Sequence, residues 1–417
     1  MDERGIKEQY LNDIKNKIKW KKAKTTAVAE ISDHIDDLYD NYIAAGDSID
    51  DAMDKAVKQI GDPELVGSML NEVYRPNVNF EIIIMLVSFA IFGCFIHGFY
   101  SGYSSIIGIL IGAAAAACLY WLDYEEFAKR IPLMYSGYVI LAAVTFVFDE
   151  FFAPVSMSGS TRWCYILMLS PFLHAGLVYY LKNKKIRLEV PAFWGTFIIP
   201  LAILAISGNA SYVTVLLVMD TLEIILLIRK DSSFLRRMCK NKTLNIIATI
   251  AMAAALFLSV RCIISNLSMD TSDQIFIANA WKSMQFTGEN LRDAVMNNAN
   301  ITKAAFPLLY LSFRYGLMAT CVILFFYALL AAVLIRVIVK QKTRLGAQLS
   351  LMIAILYAVQ LLAALLCNLG LISPSLYISF PFFGGGVMTF VDYSLLGMLL
   401  SISRYQGIKS DGHIVCD

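Results

Sequence analysis

From residue 80 onward the chain is a succession of apolar stretches, separated by short connections that hold most of the basic residues. A stretch of about 20 mostly apolar residues is what a helix needs to cross the hydrocarbon core of a bilayer. Ten such stretches are present, at 80–99, 103–122, 131–148, 163–181, 190–206, 211–228, 244–266, 313–338, 346–372 and 386–403. In lipid every backbone polar group must find its partner within the protein, so these stretches predict helices. The expected fold is all-α, a polytopic membrane protein with ten transmembrane helices. Composition agrees: 58% of residues are hydrophobic and 16% charged, against about 45–50% and 25% in soluble domains. Disorder, a secreted disulfide scaffold and nucleic-acid binding are excluded as the main identity.

The basic residues also orient the chain. Eighteen Lys and Arg lie in the connections after the second, fourth, sixth and eighth stretches and after the tenth, with Arg336 at the end of the eighth stretch counted among them. The opposite connections hold Arg162, Lys282, Arg292 and Lys303. Basic loops stay in the cytoplasm, so both termini are expected inside and the long connection at 267–312 outside.

The first 79 residues differ in kind, with 11 Lys and Arg against 16 Asp and Glu. No cleavable signal peptide is expected there. Residues 1–76 read as a cytoplasmic helical unit, 80–404 as the membrane domain and 405–417 as a cytoplasmic tail. Ile6, Tyr10, Leu11, Ile14 and Ile18 share one helical face, and Val28, Ile31, Ile35, Leu38 and Tyr42 another. Gly46 closes the second helix. Ser48 with Asp51 opens a third that carries Met53, Ala56, Val57 and Ile60 and stops at Gly61. Asp62-Pro63 begins a fourth. The acidic run Asp33, His34, Asp36, Asp37 and Asp40 reads as a solvated or partner-binding face rather than a metal site. The eight Cys form no C-x-x-C pair, and those in the apolar runs read as small hydrophobes.

The runs E-I-S-D-H-I-D-D-L-Y (30–39), G-D-S-I-D-D-A (46–52) and I-G-D-P-E-L-V (60–66) resemble the permease prefix (HAAS-like) domain. That resemblance implies a regulatory or sensory role. In the membrane part, Asn368-Leu-Gly-Leu-Ile, Ser-Phe-Pro-Phe-Phe-Gly-Gly-Gly (379–386) and Leu-Leu-Gly-Met-Leu-Leu-Ser-Ile-Ser-Arg (395–404) resemble the FtsW/RodA/SpoVE (SEDS) family. The family has ten spans and polymerises lipid-linked disaccharide-pentapeptide into peptidoglycan strands. The resemblance implies a protein of the bacterial plasma membrane acting in cell-wall synthesis, division or shape. Its expected partners are a lipid-linked cell-wall precursor and a penicillin-binding-protein-type transpeptidase or another divisome or elongasome protein.

The departures from the family pattern fall on its chemistry. The family's P-S-E-F-x-K corresponds to Leu169–His174, so its Glu is lost and its Lys is His174. In Q-P-D-L-G-T the Asp becomes Asn209. The Asp that the family uses catalytically corresponds to Ala305, and its Glu pair to Phe313 and Arg314. Glycan extension needs a base for the attacking hydroxyl, and Ala305 cannot serve. The expectation is a degenerate glycosyltransferase site with no catalytic residue. Lys282, Arg292, Lys303, Arg314, His174 and Asn209 remain as candidates to hold the substrate. No cofactor or metal motif is present.

Ionisable residues inside the apolar stretches are functional candidates by default. They are Asp220 and Glu223, one turn apart; Arg261; and Asp392, for which Arg314 or Arg261 is the expected partner. Asp220 and Glu223 read either as an ion-coupling pair or as carboxylates capped by Arg229 and Lys230. His97 and His174 read as satisfied buried histidines, and the alanines at 113–117 as a face for close helix packing. The alternatives to the cell-wall reading are a permease-like transporter using Asp220, Glu223 and Asp392, or a regulatory pseudoenzyme scaffold.

Overall fold

The structure is a computed structural model. It describes residues 3–74, 78–100, 103–152, 165–184, 195–202, 210–230, 250, 254, 257, 261, 271–287, 306–373, 380–383 and 386–406. Among these there is helix, turn and coil and no strand. The chain divides into two compact units: Met1–Val78 with Arg404–Val415, and Asn79–Ser403 with the last two residues.

The first unit contains α1 (Glu3–Lys17), α2 (Lys21–Ala44), α3 (Ile49–Ile60) and α4 (Pro63–Val73). Its helix starts follow from local chemistry. The Ser48 side chain accepts the Asp51 backbone N–H at 3.2 Å, and Asp62 accepts that of Glu64 at 3.2 Å. Each cap satisfies one of the orphan donors of a first turn. Tyr10, Ile14, Ile18, Ala27, Ile35, Met53, Ala56 and Tyr74 form the core. The Tyr74 hydroxyl donates to Glu30 at 2.5 Å, and that of Tyr10 to the Gly61 carbonyl at 2.9 Å. Burial, then the bond to Glu30, pushes the Tyr74 phenol up to about 12. The acidic run on α2 is exposed at Asp33, His34, Asp36, Asp37 and Asp40, and Asp36 pairs with Lys7 at 2.6 Å. Trp20 stacks on Tyr405 from the far end of the chain, with ring centroids 5.3 Å apart.

The second unit contains α5 (Phe80–Tyr100), α6 (Tyr103–Trp121), α7 (Tyr124–Phe152), a 3-10 turn (Tyr165–Leu169), α8 (Ser170–Asn183), α9 (Ala210–Lys230), α10 (Thr271–Ser283), α11 (Pro307–Tyr315), α12 (Leu317–Lys340), α13 (Arg344–Asn368) and α14 (Gly386–Arg404). Residues 195–202 are also helical. Among the described residues, three helices, α12, α13 and α14, are long and apolar enough to cross a membrane, and Phe80–Phe95 and Ile106–Trp121 are shorter apolar helices. This is a membrane protein. α5 packs on α6 and α12, α8 on α7, α9 and α13, and α12 on α11 and α13.

α14 is buried along nearly its whole length, from Thr389 to Ser403. Small residues let α6 lie against it. A Cβ on Gly397 would stand 2.4 Å from the Ala116 Cα, and one on Gly112 would stand 3.0 Å from the Tyr393 Cβ. The alanine run at 113–117 thus takes part in a close helix crossing through Ala116.

The eighth apolar stretch differs from expectation. Residues 313–315 belong to α11, and the long helix begins at Leu317. Gly316 makes the break: its φ is +82°, and a Cβ there would stand 2.6 Å from the Phe286 carbonyl oxygen. The Leu317 and Met318 N–H groups donate to the Gln285 and Phe286 carbonyls at 3.1 Å each, so the incoming chain satisfies the first turn of α12. The 267–312 connection carries α10 and the first part of α11. Ile277, Ala280, Phe306, Leu309, Phe313 and Cys367 form their shared core. The stretch at 244–266 lies outside the described residues except at 250, 254, 257 and 261.

Candidate functional site

Among the described residues, several buried polar groups lie in the membrane unit. The first is built on Asp392 of α14, which is fully buried. One carboxylate oxygen accepts the Tyr165 hydroxyl at 2.7 Å, and the other accepts the Phe382 backbone N–H at 2.9 Å. Gln360 of α13 donates through its side-chain amide to Tyr165. The Tyr357 hydroxyl donates to the Asp392 carbonyl at 2.7 Å, and that of Tyr327 to the Pro381 carbonyl at 2.6 Å. Phe382 has φ +70°, a conformation that a residue with a Cβ holds only when its surroundings enforce it. Asp392 supplies one constraint. Ring contacts supply the others: Phe89 stacks on Phe382 at 4.5 Å, and Tyr357 and Tyr393 lie at 5.2 and 5.3 Å. Asp392 therefore pins the 380–383 segment.

Arg314 or Arg261 is the expected partner of Asp392, and its partners among the described residues are neutral donors. Arg261 is exposed, and the Arg314 side chain lies outside the described atoms, as do Arg292, Lys303, Asn209 and Ala305. Lys282 is exposed in the last turn of α10.

The second group joins α8 to α9. His174 Nδ1 lies 2.8 Å from Glu223 Oε1, and both residues are almost fully buried. Asp220 stands one turn before Glu223 and is 1% exposed. Phe197 lies against the His174 ring, with centroids 3.7 Å apart. From α7, the Tyr135 hydroxyl donates to the Thr196 carbonyl at 2.5 Å and that of Tyr138 to the Leu167 carbonyl at 3.0 Å. The Tyr135 hydroxyl lies within the field of both carboxylates. His174 is thus a buried hydrogen-bond partner of Glu223 from another helix. The side chains of Arg229 and Lys230 lie outside the described atoms.

Asn368 is a third polar anchor. Its side-chain oxygen accepts the Leu308 and Leu309 backbone N–H groups at 3.0 and 3.2 Å, which caps α11 from another helix. Its own carbonyl accepts the Trp281 indole N–H at 2.9 Å. α10, α11 and α13 are thereby tied at one residue.

The sequence matches no protein-family model and no curated protein. Among solved structures, the backbone is similar to a chain of a peptidoglycan synthase complex, described for its structural coordination of polymerization and crosslinking. The match covers 79% of this chain and 99% of that one, with a TM-score of 0.55 and 15% sequence identity. At that identity the likeness is one of fold.

Proposed function

We propose that this chain is a SEDS-like membrane protein of bacterial cell-wall synthesis. It binds a polyprenyl-pyrophosphate-linked glycan precursor at a degenerate site and works beside a transpeptidase or another cell-wall membrane protein. The observation that carries this reading is the superposition on a chain of a peptidoglycan synthase complex over nearly all of that chain's length. Under it the chain has ten spans, cytoplasmic termini, and the 267–312 region outside. Residues 1–76 form a regulatory cytoplasmic domain ahead of the membrane domain at 80–404.

The chemistry follows from what the residues offer. A diphosphate is held by cations, Arg bidentately, and Lys282, Arg292, Lys303 and Arg314 lie in or beside the 267–312 region. Polymerisation also needs a base, and Ala305 has none. General acid–base groups contribute about 10²–10⁴-fold in rate, so binding outlasts catalysis when the carboxylate is gone. The test uses purified protein with a polyprenyl-diphosphate probe and, separately, with lipid-linked disaccharide-pentapeptide. Retention of the probe, weakened by Arg292→Glu and Arg314→Glu, with no glycan polymer formed, is the expected result. Absence of retention refutes the binding role, and vigorous polymerisation refutes the degenerate site.

A further inference from the structure

The His174, Asp220 and Glu223 group has a charge problem that its own side chains do not solve. Among the described residues, the groups beside it are Ser170 of α8, Tyr135 and Tyr138 of α7, and Thr196 and Phe197 of the 195–202 helix. None is a cation. Glu223 has His174 at 2.8 Å, whereas Asp220 has the like charge of Glu223 one turn away on its own helix. Even with a charged imidazole, two ionised carboxylates leave a net negative charge buried between helices, which burial disfavours. Two carboxylate oxygens, Asp220 Oδ1 and Glu223 Oε2, are buried there with no hydrogen-bond partner among the described residues. Among the described residues, no positive charge matches the second carboxylate.

We propose that His174, Asp220 and Glu223 form a membrane-embedded proton-binding site. One hydrogen ion from bulk water forms an O–H bond on the Asp220 carboxylate, while Glu223 and His174 remain a hydrogen-bonded pair. Uptake makes Asp220 neutral, and release restores the uncompensated charge. Local packing then responds to proton activity in a part of the fold separate from Asp392 and from the 267–312 cations. A metal ion suits the site less well. A hard cation takes about six to eight oxygen ligands, and among the described residues no three His, Cys, Asp or Glu side chains are arranged to hold a metal.

Infrared spectroscopy of the full-length protein in lipid nanodiscs, followed through a pH titration, tests the proposal. The expected wild-type spectrum contains a carboxylic-acid carbonyl band that shifts in heavy water and is lost as the pH is raised. Folded Asp220→Asn loses one carboxyl's share of that band. If the asparagine variant does not fold, Asp220→Glu shifts the band instead, because the carboxyl is retained in an altered position. A wild-type spectrum without the band overturns the proposal, as does a band that neither variant changes. A third result also overturns it: sodium raising the unfolding temperature while no protonated carboxyl is seen, which makes the site one for a metal cation.

Discussion

Replacing Asp392 by alanine removes the acceptor for two buried donors at once, the Tyr165 hydroxyl and the Phe382 N–H. A buried donor left without a partner costs about 1–3 kcal/mol. The unfolding temperature of Asp392→Ala in detergent is expected well below wild type. Asp392→Asn, which keeps one acceptor oxygen, is expected to fall between. Equal midpoints for all three proteins would show that these contacts contribute nothing net. Nothing near Asp392 in sequence announces its partners. Tyr165 is 227 positions away, and a tyrosine in an apolar run looks like any other core aromatic. The charge itself was legible as an oddity inside a helix; its neutral partners were not, because an intramembrane acid invites the search for a base. Tyr74 carries a second residue-scale expectation. Its folded phenol is held up to about 12 against an ordinary value of 10.0, so its contribution to stability is complete below pH 10 and is lost as the pH rises toward 12. In a 1–78 fragment followed by circular dichroism, Tyr74→Phe should flatten the loss of stability over that window. An unaltered slope would place the alkaline loss elsewhere.

At the scale of elements, local rules succeeded where the deciding atoms are neighbours in sequence. Ser48 and Asp62 are caps because the donors they satisfy lie two or three residues on, and the paired spacing is visible in the letters. The start of α12 was misplaced because a hydropathy window runs smoothly through 313–338. The break depends on Gly316 and on carbonyls thirty residues earlier. Asn368 belongs to the same kind: its motif was noticed, yet its role as a cap for α11 is a tertiary fact. Asn368→Ala should therefore destabilise the α10–α11 pair by about 0.5–2 kcal/mol, as loss of a helix cap does. Gly316→Ala should do more, since the added carbon meets backbone at 2.6 Å. Hydrogen exchange over residues 271–315 measures both effects. Faster exchange confined to this region is expected, and unchanged protection in Asn368→Ala would mean that the cap is replaceable by water.

For the whole molecule, the sequence carried the class of protein, because that rests on composition that any stretch displays. The side of the membrane on which each end lies rests on loop charge alone. Single cysteines introduced at Ser48 and Asn298 of a cysteine-free variant address it. In intact cells, a membrane-impermeant thiol reagent should modify position 298 and spare position 48. The reverse pattern would invert the orientation.

The contact between Trp20 and Tyr405 gives this architecture an order in time. The helices of the small unit are translated before the membrane helices, but one of their aromatic partners is delivered only after α14 has been made. The unit can gather its own core early and still wait for that ring. A nascent chain that has not reached Tyr405 lacks this stacking contact on Trp20, so the environment of that indole reports whether α14 has been made.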